Sequence, residues 1–278
     1  MAELHTIAAV QMNVDFADKE SNLRRMLFLL EQTAGEAVKL TVFPECALTG
    51  YCFDSLEEAQ PFAEPIPGPS TERMAAACKR LNCHVVYGLL EAEGDRIFNA
   101  AVLVGPKGVV GSYRKVHLPF LGIDRFTTPG DRPFAVHNAG GIRVGMNICY
   151  DGSFPEAARV MTLDGADLIV LPTNWPPGSE CMASCAVNTR AMENQIYYLA
   201  CNRVGTERGF RFIGMSKIAA PGGSVIAEAM HENEAILYAQ VDVDKARNKH
   251  LVRVPKLHEI DRIKDRRPEM YSRLVEPK

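Results

Sequence analysis

Three side chains that could carry out chemistry each come at or just after the end of a predicted strand. They are Glu45 in VFPEC, Lys115 in YRKVHLP and Cys149 in NICYD. In α/β sheets, ligands usually bind at the carboxyl ends of the strands. A partly buried carboxylate there could act as a general base, and a lysine could lower the pKa of a thiol and stabilise an oxyanion. A cysteine at a sharp strand-to-helix transition could be an exposed nucleophile.

Each of these residues also fits a structural role when it is considered alone. Glu45 could cap a helix or pair with an arginine, and Lys115 could be an ordinary surface lysine. Cys149 could fill a small space in the core, as free cysteines often do. The nearby His117 could serve as a base, but a histidine beside a basic pair is more often structural. Position alone therefore leaves all three roles open.

The elements that would position these residues alternate between strands and helices. Short apolar runs predict strands in the first half at residues 5–12, 40–43, 84–90, 98–104 and 109–113. Apolar residues at helical spacing between positions 23 and 30 predict an amphipathic helix with Asp18 as its N-cap, and residues 70–81 predict another.

The second half repeats this order. Its predicted strands are residues 142–148, 168–171, 196–201, 216–219, 225–227 and 235–241, and its predicted helices are 155–163 and 183–195. No linker rich in Gly, Ser or Pro separates the halves, so we expect a single α/β domain over residues 1–244 with two similar halves. Residues 245–278 carry more basic than acidic side chains and few apolar ones. They are predicted to form a C-terminal extension that packs at a subunit interface, with a solvated extension along the surface as the alternative.

The composition excludes several classes of partner. The chain has 278 residues, 47% of them hydrophobic and 23% charged, which is typical of a globular protein. Its 31 Lys and Arg residues against 34 Asp and Glu residues give a net charge of −3, so neither nucleic acid nor an anionic membrane is expected as a partner. No apolar run approaches the roughly 20 residues that span a bilayer.

The cysteines indicate a reducing compartment and no metal site. The first residues, MAELHTIAAVQM, lack the pattern of a secretory signal, and eight cysteines are too sparse for a disulfide scaffold. We therefore expect reduced thiols and a cytoplasmic location. Cys181 and Cys185 lie four residues apart, but no further ligands follow at the spacing of a zinc site. The motifs GxGxxG, GxxxxGK[ST] and HExxH are absent, so no metal or nucleotide cofactor is predicted.

Taken together and in this order, the three candidate residues carry a specific resemblance. The sequence resembles the nitrilase superfamily of carbon–nitrogen hydrolases over almost its whole length. The matching blocks include VFPECALTGY, YRKVHLP, GMNICYDGSFPEAAR, ADLIVLPTNWP and NTRAMENQIYYLACNRVG. This resemblance implies a four-layer αββα sandwich and a triad of Glu45, Lys115 and Cys149. It also implies homodimers or larger homo-oligomers.

The resemblance also implies a mechanism without metal or organic cofactor. Glu45 would take the proton of the Cys149 thiol, and a thioester would form as the nitrogen product leaves. Lys115 and the backbone N–H of Tyr150 would stabilise the tetrahedral oxyanion. Glu45 would then activate the water that hydrolyses the thioester.

Two acidic residues receive supporting roles from the resemblance. Many family members carry a second Glu a few residues after the lysine, and Asp124 aligns with it but is one methylene shorter. The alternative is that Asp124 pairs with a surface cation and the role is lost. Glu193, in MENQ, matches a family Glu near the lysine and is expected to orient Lys115 and keep it charged. An ordinary carboxylate on a helix face is its alternative.

Asn174 and Trp175 follow the strand after Cys149, so we expect them to face the same pocket and bind substrate. Trp175, the only Trp of the chain, could instead fill core volume. The residues after Cys149 are more similar to amidase and ω-amidase members than to nitrilases, which favours a small linear amide as substrate.

Other functions remain open. A carbamoyl-amine or carbamoyl-amino-acid hydrolase and a nitrilase are enzymatic alternatives. An acyltransferase would use the same triad. A catalytically silent protein that binds a metabolite or partner is the alternative from another class, although the intact triad argues against it.

Overall fold

The computed structural model describes residues 4–276 of the chain. These residues form sixteen strands: β1 (Leu4–Gln11), β2 (Val38–Val42), β3 (His84–Glu93), β4 (Arg96–Gly105), β5 (Gly108–Arg114), β6 (Val136–Ala139), β7 (Ile142–Met146), β8 (Leu168–Thr173), β9 (Tyr197–Asn202), β10 (Val204–Glu207), β11 (Phe210–Ile213), β12 (Ser216–Ala219), β13 (Val225–Ala229), β14 (Ala235–Asp242), β15 (Leu251–Val254) and β16 (His258–Ile260).

Six α-helices connect these strands: α1 (Lys19–Gly35), α2 (Leu56–Ala59), α3 (Pro69–Leu81), α4 (Pro155–Leu163), α5 (Val187–Asn194) and α6 (Val243–Arg247). A π-helical turn, Met182–Ala186, leads into α5. The predicted N-cap of α1 is confirmed, because the Asp18 carboxylate accepts a hydrogen bond from the Ser21 backbone N–H at 2.9 Å. None of the helices within residues 4–276 is long and apolar enough to cross a membrane.

Two six-stranded sheets are built on the same plan. The first has the order β14-β1-β2-β3-β4-β5 and the second has the order β13-β12-β9-β8-β7-β6. Each contains three neighbouring parallel strands, β1 to β3 and β7 to β9, flanked by antiparallel strands. Strands β2 and β8 are therefore equivalent, as are the loops that follow them. The expected single α/β domain with two similar halves is confirmed.

Apolar contacts stack the two sheets and their helices into four layers. One core cluster joins residues of the first sheet, such as Leu40, to residues of the second, such as Ile169, and extends to helices α4 and α5. Another cluster fills the space between the first sheet and the helices α1 and α3, for example at Met26 and Met74. The αββα sandwich implied by the resemblance is thus confirmed.

The structure also contains elements that the sequence pattern missed. Strand β6 and the hairpin of β10 and β11 lie in stretches of mixed polarity, where no alternation marks a strand. The strand predicted over residues 142–148 ends earlier, at Met146, and a 3-10 turn begins at Cys149. Helix α6 crosses the predicted boundary at residue 245, and the residues after it are mostly exposed.

The loop that carries Glu45 lies flat against strand β3. Gly88 of β3 donates a backbone hydrogen bond to Pro44 and accepts one from Leu48, both at 3.1 Å. A Cβ atom at Gly88 would lie 2.3 Å from the backbone nitrogen of Cys46. Real Cβ atoms do not approach backbone so closely, so a side chain at position 88 would displace this loop.

We therefore expect Gly88→Ala to lower the free energy of unfolding by about 1–3 kcal/mol, the usual cost of overpacking. The matched control is Gly35→Ala, because a Cβ atom there meets nothing within 4 Å. The control is expected to be neutral or to stabilise the protein by about 0.4–1 kcal/mol, since alanine restricts the unfolded chain. Urea unfolding measures both values, and equal stability of the two variants would contradict the close approach.

Candidate active site

Glu45 follows strand β2 directly, and its side chain is completely buried. Its Oε1 atom accepts hydrogen bonds from Lys115 Nζ and from Asn99 Nδ2, both at 2.7 Å. The other oxygen, Oε2, is buried and has no hydrogen-bond partner within residues 4–276. Burial raises the pKa of Glu45 above its ordinary value, although Lys115 acts in the opposite direction. A raised pKa and a free oxygen are the properties of a general base.

Lys115 follows strand β5, and its side chain lies between two carboxylates. Its Nζ atom donates to Glu45 Oε1 at 2.7 Å and to Asp124 Oδ2 at 2.5 Å. Burial disfavours the ammonium charge, but Asp124 and then Glu45 outweigh that cost and raise the pKa of Lys115 well above its ordinary value. Lys115 is therefore a buried cation.

Asp124 sits on a 3-10 turn, Gly122–Arg125, and is also buried. Its Oδ2 atom accepts from Lys115 and from the Tyr51 hydroxyl at 2.7 Å, and its Oδ1 atom accepts from Asn99 Nδ2 at 2.8 Å. The structure thus places Asp124 in the cluster with Glu45 and Lys115, not on the surface with a solvent-exposed cation.

Cys149 begins the 3-10 turn that follows strand β7, and it adopts a left-handed conformation with φ = 46°. This conformation is rare for a residue with a side chain and is typical of strained positions at functional sites. Burial, and next the charge of Glu45, raise the pKa of the Cys149 thiol to about 12, while Lys115 and the Asn174 backbone act in the opposite direction. The thiol is therefore protonated at neutral pH and needs a base to become a nucleophile.

Asp151 connects the segment that carries Lys115 to the segment that carries Cys149. Its buried carboxylate accepts hydrogen bonds from the Ile148 backbone N–H, the Tyr113 hydroxyl, and the backbone N–H of His117. The His117 ring lies 2.7 Å from the same carboxylate through Nδ1 and stacks on a neighbouring phenylalanine. His117 therefore has the structural surroundings that its position suggested.

The predicted binding residues differ in their surroundings. Asn174 follows β8 and is fully buried, yet neither atom of its side-chain amide has a hydrogen-bond partner in the described part of the chain. Trp175 is buried in the core and borders a small cavity beside Met182 and Arg190. Its burial fits both the predicted role in substrate binding and the alternative of filling core volume, so the role in substrate binding stays a prediction. The backbone N–H of Tyr150 lies in the first turn of the 3-10 helix, where such groups have no partner in the helix.

The role predicted for Glu193 is wrong. Its carboxylate accepts a hydrogen bond from Arg190 at 2.9 Å on helix α5. Helix α5 packs on the second sheet, whereas Lys115 follows a strand of the first sheet and is held by Glu45 and Asp124. Glu193 is thus an ordinary carboxylate on a helix face.

Sequence patterns missed two polar residues that contact the cluster. Asn99 lies within strand β4 and Tyr51 lies in the loop after Glu45, and both are buried. Asn99 could have been noticed as an amide inside the apolar run IFNAAVLV. The position of Tyr51 depends on how two distant loops meet, for which the sequence contains no local signal.

Comparison with known proteins identifies the family. A family model described as carbon–nitrogen hydrolase matches residues 6–250, which is most of the chain. The chain belongs to the carbon–nitrogen hydrolase family. As a family member it is an enzyme that hydrolyses carbon–nitrogen bonds.

Several relatives within this carbon–nitrogen hydrolase family cover nearly the whole chain. A protein named nitrilase from Pyrococcus abyssi is 38% identical over 268 residues, covering 96% of this chain and 99% of the relative. An (R)-stereoselective amidase from Pseudomonas sp. is 33% identical, covering 94% and 91%. An N-carbamoylputrescine amidase from Solanum lycopersicum is 30% identical, covering 98% and 95%.

Solved structures support the fold of this carbon–nitrogen hydrolase. The crystal structure of an amidase from Nesterenkonia sp. matches with a TM-score of 0.81 at 23% identity, covering 98% of this chain and 96% of that one. Another structure of that amidase contains a covalent acetamide adduct on its active-site cysteine. At this identity the likeness shows that the two proteins share a fold.

Within residues 4–276, no group of three or more potential ligands is arranged to hold a metal ion.

Asp124 offers a direct test of the buried cluster. We expect Asp124→Asn to lower turnover about 10²-fold or more, because it removes one of the two charges that hold the Lys115 ammonium. Asp124→Glu keeps the charge but adds a methylene to a filled site, at a cost of about 1–3 kcal/mol, or about tenfold in rate. Ammonia release measures both variants, and thermal unfolding controls for folding. Equal activity of the two variants would contradict a role for the Asp124 charge in the active site.

Proposed function

We propose that this protein is a thiol amidase that hydrolyses a small linear amide through a thioester on Cys149. One observation carries the proposal. Lys115 is held between two buried carboxylates, and one of them, Glu45, keeps a free oxygen near a thiol that is protonated at neutral pH. This arrangement supplies a base, a fixed cation and a nucleophile in a buried site.

Acylation begins when Glu45 takes the proton from the Cys149 thiol. The sulfur attacks the amide carbonyl carbon, a C–S bond forms, and the carbonyl π electrons move to oxygen. Lys115 and the Tyr150 backbone N–H stabilise this oxyanion. The intermediate then collapses, the C–N bond breaks, and Glu45 returns its proton to the nitrogen, which leaves as ammonia.

Deacylation uses the same groups in the reverse roles. Glu45 removes a proton from water as the water oxygen attacks the thioester carbon. Lys115 and the Tyr150 backbone N–H also stabilise the second tetrahedral oxyanion. When it collapses, the C–S bond breaks, the carboxylic acid is released, and the sulfur regains a proton from Glu45. Atoms and protons balance without a cofactor.

Asn174 is the residue that we propose for substrate binding. A buried amide with neither its donor nor its acceptor satisfied is costly, and a bound ligand would relieve that cost. An amide side chain can donate to a carbonyl and accept from an N–H, so it suits an amide substrate. Its backbone already lies against the Cys149 thiol.

A carbamoyl-amine substrate is the second candidate, because the relative from Solanum lycopersicum carries that activity in its name. Such a substrate has a cationic amine, and Asp124 is not free to hold it. Three donors already occupy its two oxygens, so a different carboxylate would have to bind the amine. The small linear amide is therefore favoured.

The substrate class is tested by measuring ammonia release from aliphatic amides, ω-amides of dicarboxylic acids, carbamoyl amines, carbamoyl amino acids and nitriles. We expect an amide class to be hydrolysed with a transient acyl adduct on Cys149, visible by intact-mass spectrometry. Cys149→Ala is expected to fold normally and to lose both turnover and adduct. Turnover by this variant would refute the thioester mechanism. If the wild-type protein hydrolysed only carbamoyl compounds or only nitriles, the proposed amide substrate would be wrong.

We also propose that the protein assembles as a homodimer or larger homo-oligomer through its C-terminal extension. Large apolar side chains in this segment are exposed, including Leu257 at 86% and Val275 at 85%. Such side chains would lose their contact with water if the segment packed against a second copy of the chain. One chain weighs 30.6 kDa, and light scattering is expected to give at least twice this mass. A monomer mass at micromolar concentration would contradict the proposal.

The cytoplasm is the compartment that we propose. All eight cysteines are free, including the exposed Cys181 and Cys185. Free exposed thiols are typical of proteins in reducing compartments. Cell fractionation tests this proposal, and recovery of the protein from an oxidising compartment would contradict it.

A further inference from the structure

Asn99 links the two carboxylates of the site, although it is far from both of them in the sequence. Its Nδ2 atom donates to Glu45 Oε1 at 2.7 Å and to Asp124 Oδ1 at 2.8 Å. One amide nitrogen has two protons, so each carboxylate receives one. Within residues 4–276, it is the one neutral side chain recorded as a hydrogen-bond donor to both carboxylates.

The orientation of this amide is fixed by its surroundings. The opposite orientation would point the amide oxygen at two carboxylate oxygens, with no proton between them. In the observed orientation, the oxygen instead accepts from the buried Cys46 thiol at 3.6 Å. The backbone is fixed as well, because the Asn99 carbonyl accepts from the Lys115 backbone N–H at 2.8 Å. Strand register thus holds Asn99 beside Lys115.

The hydrogen bonds divide the two carboxylates into different roles. Both oxygens of Asp124 are occupied by donors, from Lys115, Tyr51 and Asn99. On Glu45, Lys115 and Asn99 both bind Oε1, so Oε2 is left as the single free acceptor. Asp124 thus has no free oxygen, whereas Glu45 can take a proton at Oε2.

We propose that Asn99 is a positioning residue that assigns proton transfer to Oε2 of Glu45, because it holds Glu45 and Asp124 in fixed orientations beside Lys115. The proposal rests on the proposed function of Glu45 as the base for Cys149. Asn99 itself acts through the carboxylates and exchanges no proton with the substrate. Without its two N–H groups, Glu45 could rotate and turn Oε2 away, and the two carboxylates would lose the donor that they share.

The pH dependence follows from the charged and titratable groups that face Asn99. These are Glu45 and Cys46 from the loop after β2, Lys115 after β5, and Asp124 from its 3-10 turn. Donors to an ionised carboxylate lower its pKa, so loss of the Asn99 amide raises the pKa of Glu45 further. Glu45 is then protonated at a higher pH and no longer serves as the base for Cys149. The acid limb of the pH profile, which is the fall in Cys149 reactivity at low pH, therefore moves to a higher pH.

The experiment measures the rate of Cys149 alkylation by iodoacetamide against pH, with peptide mass spectrometry to separate this cysteine from the others. In Asn99→Asp, an oxygen replaces the nitrogen that donates to both carboxylates. The acid limb is expected to move up by about one pH unit or more, because a second carboxylate in contact with Glu45 raises its pKa. In Asn99→Ser, a single hydroxyl keeps at most one donor, and a smaller upward shift is expected. Alkylation needs no substrate, so a wrong substrate class cannot mimic the result.

The matched control is Asn138→Asp on strand β6. Asn138 is exposed, and its oxygen accepts from the Gly141 backbone N–H at 2.8 Å, a bond that aspartate can keep. This control adds the same charge away from the site and is expected to leave the acid limb unchanged. An unshifted acid limb in folded Asn99→Asp would overturn the proposal. Failure of both Asn99 variants to fold would overturn it too, in favour of a purely structural amide.

Discussion

The buried ammonium of Lys115 is the constraint on which the rest of the site depends. A lone charge in so dry a place would be too costly to keep, and the group would lose its proton. Two carboxylates at 2.7 and 2.5 Å make the ammonium stable, but they bring a net negative charge of their own. That excess charge is then met by neutral donors, the amide of Asn99 and the hydroxyl of Tyr51. The same excess charge also helps to keep the Cys149 thiol protonated.

The fold satisfies this constraint by bringing equivalent strand ends together. Glu45 follows β2 in the first sheet, and Asn174 follows the equivalent strand β8 in the second. Because the sheets stack face to face, the base and the unpartnered amide lie on opposite sides of one site. Asp151 adds a lateral connection, since it accepts from both the Lys115 segment and the Cys149 segment. Glu45, Lys115 and Cys149 therefore lie in segments that follow strands, and the hydrogen bonds between those segments fix their positions.

The sequence predicted those parts of the structure that are encoded locally. The spacing of apolar residues predicted helix α4 and strand β12 with their observed bounds. Ordered motifs pointed to Glu45, Lys115 and Cys149, and the structure places the first two in contact. The prediction that Glu193 orients Lys115 failed because a sequence motif does not show which sheet its helix packs against. Trp175 was ambiguous because the same position after a strand can face a pocket or the core. Asn99 was missed because its function depends on two loops that are 54 and 25 residues away.

Asp124 contacts Lys115 Nζ at 2.5 Å although its side chain is one methylene shorter than a glutamate. The resemblance implied a glutamate there, which would reach one methylene further. The 3-10 turn that carries Asp124 instead packs directly on the Tyr51 ring, and Gly122 permits this, since a Cβ atom at that position would lie 2.4 Å from the ring. Gly122 also has φ = 49°, which glycine adopts without strain. The turn lies close enough for the Asp124 side chain to reach Lys115 Nζ at 2.5 Å. Asp124, Gly122 and Tyr51 are therefore linked, because the turn that presents Asp124 to Lys115 packs on the ring whose hydroxyl donates to Asp124.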